Sequence, residues 1–201
     1  MRLLRKMRGY LRVLRRARRN RTDLPRELAR RPQLAAATTA YETALVFSNC
    51  LDSKLKVLAE LKAAALTNCE FCLDIGSALA RDEGLTERQL LDLHTYRSSD
   101  AFTELEKSVI AFAEAMTRTP AVIPDALREQ MLHHLTRAQL VELAASVSWE
   151  NHRGRLNQAL GIRPAGFSDG AVCVLPETIQ AVVNVDGVTD VRRSSPITAG
   201  Q

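Results

Sequence analysis

The sequence predicts an all-α protein, and three observations carry that prediction. Hydrophobic residues make up 46% of the chain but aromatic ones only 4%, with many Ala and Leu, which suits helices packed through small side chains rather than a β-sandwich. Apolar residues recur at helical spacing through most of the chain, and Thr86 with Gln89 and Thr136 with Gln139 read as capping boxes that open helices. At 201 residues the chain is long enough for one sizeable core and short for two.

The elements follow in order. Leu3, Met7, Leu11 and Leu14 stand at helical spacing among arginines, which predicts a basic amphipathic helix ended by Thr22-Asp23-Leu24-Pro25, since proline disfavours a helical residue before it. A helix runs from after Pro32 to Phe47, and another from Asp52 to about Leu66 carries Leu55, Leu58, Leu61 and Leu66 on its buried side. Asn68 reads as the N-cap of a helix reaching about Asp82, with Cys69 and Cys72 in its first turn and Gly84 closing it. Thr86 opens a short helix through Leu93, and further helices span about Thr103 to Arg118 and Asp125 to His134. The longest pattern follows Thr136 and ends near Leu160 and Gly161. Beyond it periodicity is lost, and the valines of 182–191 around Asp186-Gly187 suit a small hairpin or a loose tail. The domain plan is a basic arm over 1–22, a helical domain over 23–170 and an irregular tail over 171–201.

Ten basic residues and no acidic one precede Thr22, so the remaining 18 basic residues face 23 acidic ones and the body is mildly acidic. The arm carries no apolar run of the kind a secretory leader has, and no stretch approaches the ~18 apolar residues of a membrane span. It lacks the interleaved aromatics and helix-turn-helix pattern of a base reader, so specific nucleic-acid binding is not indicated. A basic amphipathic helix suits an anionic membrane surface instead, and the alternative is a plain basic extension. The expected location is the cytoplasm, with residues 1–21 at the inner membrane surface.

The chemistry lies with the cysteines. Cys69 and Cys72, at i and i+3 of a helix, share a face and can close a disulfide across one turn, and a helix N-terminus favours thiolate. Glu70 and Asp74 oppose that effect. Two alternatives remain open on the residues alone: an inert buried pair, or a zinc site, although neither a second cysteine pair nor an H-x3-H cluster supplies further ligands. No cofactor is expected. Cys50, in a probable loop, and Cys173, between apolar neighbours, read as inert packing. His94, His133 and His134 read as surface residues, Trp149 as core or interface, and Arg153 with Arg155 as ion-pair partners or anion binders.

Residues 60–72, Glu-Leu-Lys-Ala-Ala-Ala-Leu-Thr-Asn-Cys-Glu-Phe-Cys, closely resemble the carboxymuconolactone decarboxylase/AhpD-like alkylhydroperoxidase family. The similarity continues through Gly84-Leu85-Thr86, Ala111-Phe112-Ala113, the turn from Pro120 to Pro124, Leu140-Val141-Glu142-Leu143 and Glu150-Asn151-His152-Arg153, covering roughly 33 to 170. The resemblance implies an AhpD-like helical bundle that forms homo-oligomers and works as a thiol-dependent, peroxiredoxin-type peroxidase. Cys72 would react with the hydroperoxide, Cys69 would resolve the sulfenic acid, and a thiol or dithiol reductant protein would reset the disulfide. General C-x-x-C chemistry makes the more exposed N-terminal thiol the one the reductant attacks, which agrees with that division. The chain departs from the family at two positions: Gly76 stands where the relay His belongs, and Val57 where the relay Glu belongs. Glu60, one turn beyond Val57, and His152 on the long helix are the candidate substitutes. The alternatives are a non-catalytic helical oligomer or binding protein with a structural or sensing thiol pair, and a lactone decarboxylase, which the cysteines and the missing His disfavour.

Overall fold

A computed structural model describes Arg15 and residues 23–178. The elements are α1 (Asp23–Ala29), α2 (Pro32–Phe47), α3 (Ser53–Leu66), α4 (Glu70–Ala80), α5 (Glu87–Leu91) running into a 3-10 turn (Asp92–Thr95), α6 (Glu104–Thr117), α7 (Asp125–His134) and α8 (Arg137–Ala159), with no strand among the described residues. The all-α fold expected from composition and periodicity is the fold observed.

The caps explain most boundaries. Thr86, Thr103 and Thr136 each form a complete capping box, the side chain accepting from the N3 amide while a Gln or Glu at N3 returns to the cap. Asp52 caps α3 by accepting from Lys54 N–H at 2.9 Å. Two expectations are corrected. Asp23–Ala29 is helical through Leu24 and Pro25, because Pro25 sits in the first turn where its missing N–H costs no helical bond. Asn68 is not the N-cap of α4; that position belongs to Cys69. Apart from Arg15, the basic helix expected before residue 20 lies outside the described residues, as does the valine hairpin of 182–191.

Helix α3 is the centre of the bundle, packing most extensively on α6, α8 and α4. Its two sides feed two apolar clusters. Leu58, Leu61 and Ala65 join Leu73, Leu90, Tyr96 and Ile110, while Leu55, Ala59 and Ala63 join Val109, Phe112, Met131, Leu143 and Val147. A helix buried on both sides cannot carry large residues everywhere, and the run Ala63-Ala64-Ala65, at most 2% exposed, lets its neighbours approach. Helix α8 comes close at Gly154, where a Cβ would lie 2.4 Å from Thr67 Oγ1. The tail does not leave the surface at 171, for Val174 N–H donates to Ser77 Oγ at 3.0 Å, Val174 is 3% exposed, and Glu177 pairs with Lys62.

One buried ion pair fixes the lower end of α3 against α8. Lys56 Nζ is held by Glu142 and by Ser48 C=O, and Glu142 Oε2 also accepts from Cys50 N–H at 2.9 Å, Leu51 N–H at 3.2 Å and Cys50 Sγ at 2.7 Å. Burial pushes this carboxyl up, but the Cys50 and Lys56 donors outweigh it and bring it down to about 2. A carboxylate depressed in the folded state stabilises above its ordinary pKa, and that stability is lost as pH falls from about 4.5 toward 2. Glu142→Gln should therefore destabilise the protein by about 3 kcal/mol near pH 7 and flatten the acid limb of stability against pH, read by urea unfolding. An acid limb unchanged in the variant would refute the assignment.

Candidate functional site

The site is built on the junction of α3 and α4. Helix α3 ends in a Schellman motif: Cys69 N–H donates to Ala64 C=O at 3.0 Å and Asn68 N–H to Ala65 C=O at 3.3 Å, with Asn68 left-handed at φ 52°. Asn tolerates that conformation where a β-branched residue would not. The chain is thereby turned so that Cys69, the next residue, already caps α4, its Sγ accepting from Cys72 N–H at 3.3 Å. Cys69 and Cys72 are joined in a disulfide across this first turn, Cα to Cα 5.2 Å.

Asn157 on α8 is the residue that sequence reasoning missed. It is 3% exposed, and its Nδ2 stands 3.6 Å from Cys69 Sγ and 3.5 Å from Cys72 Sγ. An amide donor aimed at both sulfurs stabilises negative charge on either, adding to the N-terminal amides of α4. Cys69 is 2% exposed, beneath Phe71, Ile162 and Phe167, whereas Cys72 is partly exposed. This reverses the expected order of access, because the segment after α8 folds over the N-terminal sulfur. Asp74 holds that segment: its carboxylate accepts from the amides of Ala165 (2.9 Å), Phe167 (3.0 Å) and Ser168 (2.7 Å) and from Ser168 Oγ (2.7 Å). Its charge is thus spent on backbone donors rather than on the sulfurs.

At the position of the family's relay His, a Cβ on Gly76 would meet Leu61 Cδ2 at 2.8 Å, so any side chain there must displace the tip of a core leucine. Val57 packs on the core. Glu60 faces α8, with Oε1 3.8 Å from Arg153 Nη2. Arg153 also reaches Glu150 Oε2 through Nε at 2.9 Å and Glu42 Oε2 through Nη1 at 3.4 Å, and Glu42 accepts from Trp149 Nε1 at 2.8 Å. Asn157, Arg153 and Glu150 are spaced four and three apart, one stripe of α8, so this cluster begins about one turn, ~5 Å, along the helix from the amide on the sulfurs. Glu60 lies one turn before Ala64, whose carbonyl receives Cys69 N–H. His152 lies elsewhere: about 140° around α8 from Asn157, exposed, and stacked on Trp149 at 4.6 Å, which stacks in turn on Tyr41 at 4.2 Å.

Glu150 is 4% exposed and its Oε1 has no hydrogen-bond partner. Burial pushes it up to about 8, Arg153 opposing and the charges of Glu60 and Glu42 adding to the rise. It is a neutral acid at pH 7 inside a group of carboxylates. The remaining cysteines are set apart from this chemistry. Cys50 is held as a thiol chiefly by donating to Glu142, and burial pushes Cys173 up, its Sγ facing Val174 C=O at 3.4 Å. Among the described residues no group of three His, Cys, Asp or Glu is placed to hold a metal ion, and no helix is long and apolar enough to cross a membrane.

Fold and site together define a helical protein with a C-x-x-C disulfide at a helix N-terminus. Residues 32–115 match the Carboxymuconolactone decarboxylase family. The chain is also 32% identical over 127 residues to the uncharacterized protein YnjA of Escherichia coli (strain K12), spanning 63% of this chain and 67% of that one. The chain belongs to the carboxymuconolactone decarboxylase family. Its fold is that of a protein of unknown function from Agrobacterium tumefaciens, proposed as an antioxidant defence protein AhpD (TM-score 0.65, 22% identity, 69% of this chain and 94% of that one). It is shared by the debrominase Bmp8 (TM-score 0.64, 18% identity, 70% and 75%).

The raised pKa of Glu150 has a measurable consequence. The folded chain keeps a proton that the unfolded chain releases between about 4.5 and about 8, so this residue lowers stability as pH rises through that window and adds no further slope above it. Glu150→Gln cannot ionise and removes the slope. The variant should match the wild type near pH 4 and exceed it by at least about 1 kcal/mol at pH 8 in urea unfolding. Parallel curves across the window would show that Glu150 is not protonated.

Proposed function

We propose that this chain is a thiol-dependent peroxidase that cycles Cys69 and Cys72 between dithiol and disulfide. The observation that carries the reading is the pair itself: two sulfurs at the first turn of α4, both facing the buried amide of Asn157, one of them partly exposed. In the reduced chain the Cys72 thiolate attacks the distal oxygen of a hydroperoxide and the O–O bond breaks. The leaving alkoxide takes a proton and Cys72 becomes a sulfenic acid. Attack by Cys69 expels water and forms the disulfide, and a thiol or dithiol reductant protein restores both thiols through a mixed disulfide. The exposure of Cys72 suits the peroxide-reacting role, and the burial of Cys69 suits a resolving thiol.

Proton supply falls to the α3/α8 cluster. Glu60 stands one turn from the backbone that holds Cys69, and Glu150 behind it is a neutral acid at pH 7 that shares Arg153 with Glu60. In the cell we expect the chain in the cytoplasm as a homo-oligomer. None of the sixteen residues of α2 is buried, and Leu34, Tyr41 and Phe47 present apolar surface that a second copy would cover. The basic arm would add contact with an anionic membrane surface. A second reading, a helical oligomer whose thiol pair senses redox state without turnover, is favoured by one observation: Leu61 packs where the relay imidazole would need room.

Consumption of a hydroperoxide with a dithiol reductant separates the two. Glu60→Gln should cut turnover at least about tenfold near neutral pH, and the deficit should shrink as pH rises and the thiol ionises unaided. His152→Gln, on the exposed stack, should change turnover by less than that. Brisk turnover indifferent to both changes would assign thiol activation to the α4 N-terminus and Asn157 alone. No turnover despite a reversible disulfide would establish the sensing reading.

A further inference from the structure

A groove of about 480 Å³ opens between the C-terminal ends of α3 and α6 and the last turns of α8. That volume is in the range of small-molecule sites. Its floor is Leu66 and Thr67 of α3 with Gln158 of α8, and Gln158 Nε2 donates to the carbonyls of Thr67 (3.4 Å) and Asn68. The groove therefore abuts the turn that carries Cys69.

Its other rim is cationic. Arg155 binds only neutral groups among the described residues, Asn151 Oδ1 through Nη1 at 2.6 Å and Thr119 Oγ1 through Nη2 at 3.4 Å. Arg118 pairs with Glu114, but that one carboxylate also accepts from Arg97 Nη2 at 2.9 Å and Tyr96 Oη at 2.9 Å. Two guanidinium groups and a phenol thus share a single carboxylate. A census of donors points the same way. Thr67 and Thr117 spend their hydroxyl protons on the carbonyls of Ala63 and Ala113, leaving only acceptor capacity. Thr119 accepts from Arg155 and keeps its proton. The donors left are the remaining N–H groups of Arg118 and Arg155 and one hydroxyl, all at one end, while the apolar contact of Leu66 lies toward the redox turn.

We propose that this groove binds the oxyanion head, carboxylate or phosphate, of a small organic molecule between Arg118, Arg155 and Thr119, with the body of the molecule directed along Leu66 and Thr67 toward Cys69 and Cys72. Resting on the peroxidase reading, the substrate class this implies is an organic hydroperoxide that bears an anionic group.

The test is calorimetric titration of the full-length oxidised protein with benzoate and, separately, phenyl phosphate at low salt, which requires no turnover. Saturable binding of at least one probe is expected, weakened at least about tenfold by Arg155→Gln and by Arg118→Gln. Arg163→Gln, which removes the same charge from an exposed position outside the groove, should leave it unchanged. The tighter probe identifies the head as carboxylate or phosphate. Binding of neither probe, or equal weakening by Arg163→Gln, would overturn the proposal. Groove-dependent binding in a chain that turns over no hydroperoxide would refute the peroxidase reading and leave the anion site standing.

Discussion

A single left-handed residue sets the chemistry of this fold. Because Asn68 takes φ 52° at the end of α3, two backbone bonds close that helix and the following residue begins the next one, with no connecting loop between them. Cys69 is consequently both the cap of α4 and a core residue, and Cys72 one turn later stands against it. Moving that turn by one residue would carry the sulfurs off the face that Asn157 covers. The rest of the bundle holds the turn in place: α3 is buried on two sides, Gly154 lets α8 approach Thr67, and Asp74 ties the segment after α8 over the buried sulfur.

The electrostatics of α8 follow from the same packing. At its N-terminal end the Cys50 and Lys56 donors hold Glu142 ionised, and in its middle burial holds Glu150, one oxygen of which is unmatched, toward the protonated form. Two glutamates on one helix thus occupy opposite protonation states at neutral pH, because one meets several donors and the other meets one arginine shared among three carboxylates. That division puts charge at the N-terminal end of the α3/α8 contact and acid further along it, where Glu60 and Glu150 share Arg153.

Much of this was legible in the sequence because it is local. The capping boxes at Thr86 and Thr136 and the runs of apolar residues marked helix limits, and the thiol spacing marked the reactive turn. Pro25 and Asn68 mislead for a common reason: proline in a first turn and asparagine beyond a last turn look alike, as breaks, until the backbone direction is known. Asn157 carried no sequence signal, since its contact with the sulfurs spans the fold and depends on the approach of α8 at Gly154. Glu150 sat visibly in a polar cluster with Asn151, His152 and Arg153, but which of the four turns inward follows from the packing of α8 on α3. Histidine is the usual base, yet His152 is exposed and it is Glu60 and Glu150 that face the α3/α8 contact.

The account stands on Cys69 and Cys72 being the pair that gains and loses electrons, and peptide mapping of the chain after full reduction and mild peroxide treatment tests this most directly. The account predicts reversible loss of two of the four thiols and one linked peptide joining Cys69 to Cys72, with Cys50 and Cys173 recovered as thiols. Recovery of Cys69 and Cys72 as thiols while Cys50 or Cys173 is oxidised would contradict it.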